Sequence, residues 1–271
     1  MERIVRQTST FPDEVAIAGR SFSAWGRCIV AMMAREVRMR FSRSGGMLGA
    51  FLEPFGLLIV VISFHYVMES QTPPYGNSIV LFYSSGILYH FTFMWIAAQS
   101  HEADRSNLPF PTLQDLDTTI AGAIVQFGLM VLIMLVFALA LEQFGIHALP
   151  WDPIGALEAL ALAGLFGLGV AILNSAILPM FRMWHMIYQV FIRCALLMSG
   201  GFFIPDFLSP FTRSLLSWMP LLHGMSWFRA TIMRGYPTMM VDKKFYLMAT
   251  LVVLTLGLAL ERATRKFRAF R

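Results

Sequence analysis

Long apolar stretches are the feature of this sequence that most constrains its fold. A segment of about 20 apolar residues can cross the hydrocarbon core of a bilayer as a helix, because a helix satisfies its own backbone hydrogen bonds. Such segments lie near residues 47–67, 79–98, 119–141, 154–177, 186–204 and 245–262. The sequence therefore predicts an all-α membrane protein with six transmembrane helices.

Composition and charge support a membrane protein and indicate its orientation. Of the 271 residues, 57% are hydrophobic and only 14% are charged, which excludes an ordinary soluble domain of this length. The net charge of +5 is not accompanied by any motif of a nucleic-acid-binding fold, so we expect no nucleic-acid partner. Fifteen Lys and Arg residues fall in the terminal segments and in the loops of one side, and five fall in the opposite loops. By the positive-inside rule, both termini are predicted to be cytoplasmic.

The N-terminal region is predicted to lie on the inner side of the membrane. Residues 1–24 are expected to form a cytoplasmic tail. Residues 1–30 lack a compact apolar core followed by a small-residue cleavage site, which argues against a removed signal peptide. Within 25–44, apolar residues recur at helical spacing with arginines between them, which predicts an amphipathic helix on the inner leaflet. Gly45 and Gly46 are expected to end this helix and turn the chain into the bilayer.

Two connecting segments are neither spans nor domains. The predicted cytoplasmic segment 100–119 is acidic and interrupted by prolines, and Asp115 or Asp117 is placed to cap the third span. Segment 205–237 is apolar but broken by prolines and glycines, which predicts two short re-entrant helices on the outer face between spans five and six.

Motifs of catalysis are missing from the sequence. Without a G-x-x-x-x-G-K-[ST] loop, ATP hydrolysis is not expected in this chain. The histidines and cysteines show no metal-ligand spacing, so we expect no metal site. Ser199 and the two glycines after it resemble half of a nucleophile loop of an intramembrane protease, but G-x-S-x-G is absent and His223 lies beyond a broken amphipathic stretch.

Charged side chains within the predicted spans are few, which leaves a thin set for an ion relay. Arg193 is the most informative of them, because an arginine inside a span is costly unless it meets a carboxylate or a wet cavity. Spans one and five are both predicted to start at the cytoplasmic side, which places Glu53 and Arg193 at a similar depth of about 10 Å. Two interpretations stay open: a structural ion pair, and a cationic lining for an anionic passenger.

Aromatic residues crowd the predicted outer face, among them Phe202, Phe203, Trp218, Trp227 and Tyr236. Rings at this height are typical of an interfacial belt. The alternative is that some of them line a path and stack on the apolar faces of sugar rings.

Three stretches, in the same order, resemble the capsular polysaccharide export permeases of the type-2 ABC exporter superfamily. The first is REVRMRFSRSGGMLGAFLEP at 35–54, an arginine-rich helix that leads through a glycine into a Leu-Glu-Pro element. The second is RSNLPFPTLQDLDTTIA at 105–121, which is similar to their first cytoplasmic loop but more acidic. The third is MPLLHGMSWFRATIMRGY at 219–236, which is similar to their outer segment. The likeness identifies residues 25–271 as an ABC-2 type transmembrane domain.

The resemblance implies a transport subunit rather than an enzyme. A homodimer of this chain would pair with two ATP-binding cassette ATPase subunits, which bind ATP and Mg, so no cofactor is expected in this chain itself. The passenger would be an acidic, lipid-linked capsular polysaccharide that crosses the inner membrane and passes to periplasmic and outer-membrane export proteins.

The resemblance and the predicted topology together define two sets of site residues. The expected ATPase-coupling surface comprises Arg35, Arg38, Arg40, Arg43, Asn107, Asp115 and Asp117. The expected substrate path comprises Glu53, Arg193, Phe202, Phe203, Trp218, Trp227, Arg229 and Tyr236. Movement of the ATPase would reach the path through the glycine pair and the Glu53-Pro54 element.

Two other functions remain as alternatives. An exporter of O-antigen or of a teichoic-acid-type polymer would share the fold, and is distinguished by which glycan disappears when the chain is deleted. An ion-coupled small-molecule transporter predicts transport that collapses with the ion gradient and ignores loss of the ATPase.

Overall fold

The computed structural model describes residues 22–42, 46–68, 73–99, 115–178, 180–181 and 183–268. Within these ranges the chain forms helices α1 Phe22–Ser42, α2 Gly46–Val67, α3 Ile79–Ala97, α4 Asp115–Gln143, α5 Pro153–Ile177, α6 Trp184–Met198, α7 Pro210–Leu216, α8 Pro220–Ile232 and α9 Lys243–Arg268. A 3-10 turn, Pro205–Phe207, precedes α7, and no strand occurs in the described part of the chain. The predicted tail up to residue 21 and the predicted loop at 100–114 lie outside these ranges. The all-α prediction is confirmed.

Four helices are long and apolar enough to cross a membrane, namely α3, α4, α5 and α9. Two shorter apolar segments, Leu52–Val67 of α2 and Trp184–Met198 of α6, lie at the first and fifth predicted spans. The prediction for the fifth span, 186–204, extends too far, since α6 ends at Met198. The helix ends there because Gly200 has φ 84°, a left-handed conformation that glycine adopts without strain.

Helix α5 lies at the centre of the bundle and packs against α3, α4, α8 and α9. Small residues bring these helices close to one another. A Cβ atom on Gly167 would lie 2.8 Å from the carbonyl oxygen of Phe93 in α3. A Cβ atom on Gly257 of α9 would lie 2.9 Å from the carbonyl oxygen of Gly169 in α5. Close packing through small residues is how membrane helices associate when the hydrophobic effect between them is weak.

Helix α1 packs against the start of α4 through its apolar face. Ile29 and Met32 are buried with Ala121 of α4, and Trp25 covers this cluster. Val37, which belongs to the same predicted apolar face, is exposed. The apolar face of the predicted inner-leaflet helix is therefore divided between contact with α4 and exposure.

The predicted outer segment contains two helices, as expected, and the 3-10 turn. Pro205, Pro210 and Pro220 each stand at the beginning of an element, where the missing N–H of proline leaves no backbone acceptor unpaired. Ser209 caps α7 by accepting a hydrogen bond from the Thr212 N–H at 3.3 Å. The prolines thus start helices rather than kinking a single one.

Candidate functional site

Helix α6 carries a charged group on an exposed face of an otherwise apolar helix. Its packed face is marked by Tyr188, Ile192 and Ala195, which are buried at helical spacing. Arg193 and Cys194 lie outside this stripe and are exposed. An arginine that faces hydrocarbon at a helix centre costs about 2.5 to 3.5 kcal/mol on insertion scales. This face is therefore better suited to water or to a second protein surface than to lipid.

Glu53 does not contact Arg193. Its Oε2 atom accepts a hydrogen bond from the indole Nε1 of Trp95 at 3.2 Å, which links α2 to α3. No ion pair joins Glu53 to Arg193 in the described part of the chain. The hypothesis of a structural ion pair is therefore not supported, and Arg193 remains an exposed cation.

Arg229 of α8 is enclosed in the core with all five guanidinium N–H donors used. Its side chain is only 1% exposed. Nη1 donates to the carbonyl oxygens of Gly200 at 2.6 Å and Phe203 at 3.3 Å. Nη2 donates to those of Gly201 at 2.7 Å and Phe82 at 3.2 Å, and Nε donates to Ser85 Oγ at 3.4 Å. We call this group the Arg229 node: it joins α3, the turn after α6, and α8.

Neutral acceptors and an aromatic ring stabilise this buried charge. The guanidinium carbon of Arg229 lies 4.0 Å from the ring centroid of Phe82, a distance at which cation–π attraction is effective. A Cβ atom on Gly86 would lie 2.5 Å from Nη2 of Arg229 and 2.9 Å from the Gly201 carbonyl oxygen. Position 86 therefore needs glycine, because any side chain would enter the space that the guanidinium occupies.

Hydrogen bonds also tie the rest of the outer segment to itself. The imidazole of His223 lies between the carbonyl oxygens of Ser217 and Met240, with Nε2 2.8 Å from the first. The carboxylate of Asp206 accepts from the Met240 N–H at 3.1 Å, and Arg213 donates to the Asp206 carbonyl oxygen at 2.6 Å. Burial raises the pKa of the Asp206 carboxyl above its usual range. Segment 205–242 is thus fixed as a unit.

A pair of buried tyrosines joins α3, α5 and α9. The hydroxyl groups of Tyr89 in α3 and Tyr246 in α9 lie 3.1 Å apart, and Tyr89 also donates to the Ala159 carbonyl oxygen of α5 at 3.4 Å. A Cβ atom on Gly224 of α8 would collide with the hydroxyl group of Tyr89 and with the ring of Tyr246. Helix α8 reaches its place against α3 and α9 because residue 224 has no side chain.

The structure divides the predicted aromatic path into a buried and an exposed group. Trp227 and Tyr236 are buried, and the Nζ of Lys243 lies 4.0 Å from the Trp227 ring centroid. Phe202 and Phe203 are half-buried. Trp218 is 77% exposed, in company with Phe207 and Phe211. Of the expected path residues on the outer segment, Trp218 has the most exposed side chain.

The predicted coupling surface is only partly described. Arg38 is exposed and Arg35 is half-buried on α1. Asp117 lies in the first turn of α4 rather than before it; it is buried, and its Oδ1 accepts from the indole Nε1 of Trp25 at 3.0 Å. Asp115 is the first residue of α4, and Arg40 lies within α1. Arg43 and Asn107 lie outside the described residues.

Ser199 and His223 are each hydrogen-bonded to other groups. The hydroxyl of Ser199 donates to the Leu196 carbonyl oxygen at 3.1 Å, and the imidazole of His223 is engaged with main-chain groups. The two residues are therefore not a nucleophile and its base. In the ranges that the structure describes, no group of three His, Cys, Asp or Glu residues is placed to hold a metal ion.

Three relatives match most of this chain. It is 27% identical over 248 residues to the polysialic acid transport protein KpsM of Escherichia coli, a match that covers 86% of this chain and 92% of the relative. It is 26% identical over 239 residues to the capsule polysaccharide export inner-membrane protein CtrC of Neisseria meningitidis, covering 86% and 89%. It is 23% identical over 249 residues to the capsule polysaccharide export inner-membrane protein BexB of Haemophilus influenzae, covering 90% and 93%. The chain is a homologue of these capsule export proteins. No protein-family model matches it.

In this homologue of the capsule export proteins, the sequence alone does not reveal the Arg229 node or the tyrosine pair. From hydropathy, Arg229 is predicted to be another cation on the outer side. Four of its acceptors are main-chain oxygens, which cannot be recognised from the type of any residue. The sequence does contain one signal of the node. Arg229 lies in an apolar helix with no carboxylate nearby in sequence, and the consecutive glycines Gly200 and Gly201 occur earlier in the chain. Such an arginine needs carbonyl oxygens, and glycines allow a backbone to approach closely.

Proposed function

We propose that this chain is the membrane-spanning permease subunit of an ATP-driven exporter that moves capsular polysaccharide across the inner membrane. The observation that carries the proposal is the similarity, over most of the chain, to relatives named for polysialic acid transport and capsule polysaccharide export. The chain is placed in the inner membrane as a multi-pass protein. CtrC and BexB are named inner-membrane proteins, and four helices of this chain are long and apolar enough to span.

The proposed topology has six spans, α2 to α6 and α9, with both termini in the cytoplasm. The excess of Lys and Arg in the terminal segments and in the loops on the same side supports this orientation. In this topology α7 and α8 enter the membrane from the outer face and return. The exposure of Phe207 just before α7 and of Phe211 at its start supports contact with the interfacial region.

Two copies of the chain are proposed to enclose the export path between their α6 faces. The supporting observation is that Arg193 is exposed within an apolar helix, where contact with lipid alone is unfavourable. A water-filled path between two copies would keep this guanidinium hydrated and would attract an acidic polysaccharide. The passenger is proposed to be lipid-linked and to continue to periplasmic and outer-membrane export proteins.

ATP hydrolysis is proposed to occur in a separate ATPase subunit, present in two copies, which binds ATP and Mg. The chain has no phosphate-binding loop of its own, and α1 offers an exposed Arg38 on the proposed cytoplasmic side. Because the bond from Trp25 to Asp117 fixes α1 to α4, movement imposed on α1 would be transmitted directly into the bundle.

The test is purification of the tagged chain from its native membrane in mild detergent, followed by measurement of ATP hydrolysis and of surface glycan in a deletion strain. We expect a roughly equimolar ATP-binding subunit, hydrolysis that depends on its nucleotide site, and loss of capsular polysaccharide on deletion. Loss of O-antigen or of a teichoic-acid-type polymer instead would assign the alternative passenger. Transport by the chain alone that follows an ion gradient and needs no nucleotide would refute the exporter.

The proposed dimer has its own test, because the exposed Cys194 stands next to Arg193. A short bismaleimide applied to inner-membrane vesicles should join two copies through this thiol. Cys194→Ser should abolish the dimer band, whereas Cys28→Ser, which removes the other cysteine, should leave it. A thiol that reacts with a monofunctional maleimide but gives no dimer with linkers of increasing length would contradict the proposed α6 interface.

A further inference from the structure

A cavity of about 310 Å³ lies between α3, α4, α5 and α8. On α4 its wall runs from Val131 to Leu141, and on α5 it runs from Pro153 to Leu160. At a rise of about 1.5 Å per residue, the wall on α5 is roughly 10 Å long. The cavity therefore extends along the helices, beneath the connection between α4 and α5.

The lining leaves little for water to bind. The polar side chains that line it are two serines of α3. Ser84 Oγ donates to the Leu81 carbonyl oxygen at 3.2 Å, and Ser85 Oγ donates to the Phe82 carbonyl oxygen at 2.8 Å. A buried water needs two to four polar partners, and cavities lined by apolar groups stay dry and accept hydrocarbon. The chemistry of the lining thus favours an aliphatic occupant.

The mouth of the cavity opens on the outside of the bundle. Leu135 of α4, Leu157 of α5 and Leu149 of the connection line it and are each exposed. Helices α4 and α5 are both long and apolar enough to span a membrane, so this mouth faces the hydrocarbon region of the bilayer. Acyl chains of the bilayer are the aliphatic groups available at that place.

The rim above the mouth determines which headgroup fits. Residues 142–153 contain Glu142 and Asp152 and no Lys or Arg. Glu142 Oε1 accepts from the Ala148 N–H at 2.9 Å and from the Leu149 N–H at 3.2 Å, which fixes the rim over the cavity. His147 Nδ1 lies 3.2 Å from Glu142 Oε2, and Asp152 is the second carboxylate of the rim. Two carboxylates with no Lys or Arg among residues 142–153 disfavour an anionic headgroup at close range.

We propose that the cavity binds one acyl chain of a zwitterionic bilayer phospholipid, which enters between α4 and α5. The end of the acyl chain would contact Phe228 and Ile232, which lie on either side of Arg229 in α8. The bound lipid then fills the space between the bundle and the outer segment. Its location in the outer half of the membrane rests on the proposed topology, but lipid binding does not depend on which polymer is exported.

The test uses the purified full-length protein in liposomes that contain phosphatidylethanolamine with a diazirine at the end of one acyl chain. Peptide mapping after irradiation should place the label on residues 131–141, 153–160 and 228–232. Ala138→Phe fills the cavity from its α4 wall and should lower labelling at least about tenfold, the loss that corresponds to ~1.4 kcal/mol of binding. Ala140→Phe is the matched control on the same helix, since Ala140 is exposed and outside the cavity. The same probe with a phosphatidylglycerol headgroup should label less.

Labelling of the wild-type protein tests lipid binding in the cavity by itself, so the test does not depend on whether a variant folds. Label spread evenly over the exposed side of α4, including Ile124 and Leu132, with no enrichment in the cavity would overturn the proposal. So would undiminished labelling of a folded Ala138→Phe protein. Equal labelling by the anionic probe would refute the assignment of a zwitterionic lipid. These results come from binding, so they are independent of the export assays.

Discussion

Replacement of Arg229 by alanine is expected to destabilise the protein strongly, because the node would lose its only donor group. The carbonyl oxygens of Gly200 and Gly201 accept the two shortest bonds, and both glycines are buried. A buried acceptor left without a donor costs about 1 to 3 kcal/mol, so the two together give about 4 kcal/mol. For a chain of this size, that loss lowers the midpoint of thermal unfolding by roughly 8 to 16 °C.

The measurement is thermal unfolding in mild detergent, followed by intrinsic tryptophan fluorescence, together with the amount of surface polysaccharide. Arg234→Ala is the matched control, since Arg234 lies a few residues further along and is exposed. It should shift the midpoint by less than about 2 °C. Arg229→Lys should fall between the two, because an ammonium group offers three donors from one atom rather than five from a planar fork.

A stabilising role of the Arg229 node is refuted if Arg229→Ala unfolds within about 2 °C of the Arg234→Ala control. If the variant were fully stable and reached the membrane but exported no polysaccharide, Arg229 would instead act on the passenger, as expected from the sequence. The buried position of Arg229 predicts a different result: Arg229→Ala loses stability, and its export falls only because less protein is present.

Three further outcomes are expected. Gly224→Ala should reduce stability by more than about 1 kcal/mol, because the added Cβ meets the tyrosine pair, whereas Gly56→Ala has nothing within 4 Å and should be neutral or stabilising in thermal unfolding. Trp25→Phe keeps an aromatic ring but removes the hydrogen bond to Asp117, so ATP hydrolysis by the complex should continue while export per ATP falls. Unchanged export per ATP would show that coupling does not need this hydrogen bond between α1 and α4. Arg193→Ala should leave unfolding and membrane amount unchanged but reduce polysaccharide export, and normal export by that variant would exclude Arg193 from the path.

Hydropathy predicts the positions of the helices in this chain, because the bilayer imposes a length of about 20 apolar residues whatever the neighbours of the helix are. It does not predict where α6 ends, because the residues after Met198 remain apolar while Gly200 turns the backbone. The helical breaks of the outer segment are predicted by its prolines rather than by hydropathy, because a proline at the start of an element is a local signal.

The side chains of the outer segment were beyond prediction from sequence. Trp218 and Trp227 are the same residue type in the same short segment, yet one is 77% and the other 9% exposed. Helix α8 is buried all around from Leu221 to Arg229, and this buried set includes the polar residues His223, Ser226 and Arg229 at three-residue spacing, so polarity does not indicate which residues point inward. The contact of Glu53 with Trp95, rather than with Arg193, likewise depends on how α2 rotates against α3.

The acceptors of the Arg229 node have a consequence for how the protein can diverge. Four of the five are main-chain oxygens, which every amino acid carries, so position 203 can change its side chain without removing the oxygen that the guanidinium needs. Gly86 and Gly200 have no such freedom, the first because of space and the second because of its backbone angle. Substitutions around the buried guanidinium are thus restricted at Gly86 and Gly200, where a side chain is disfavoured. The main-chain oxygens that bind it are kept whatever the side chains become.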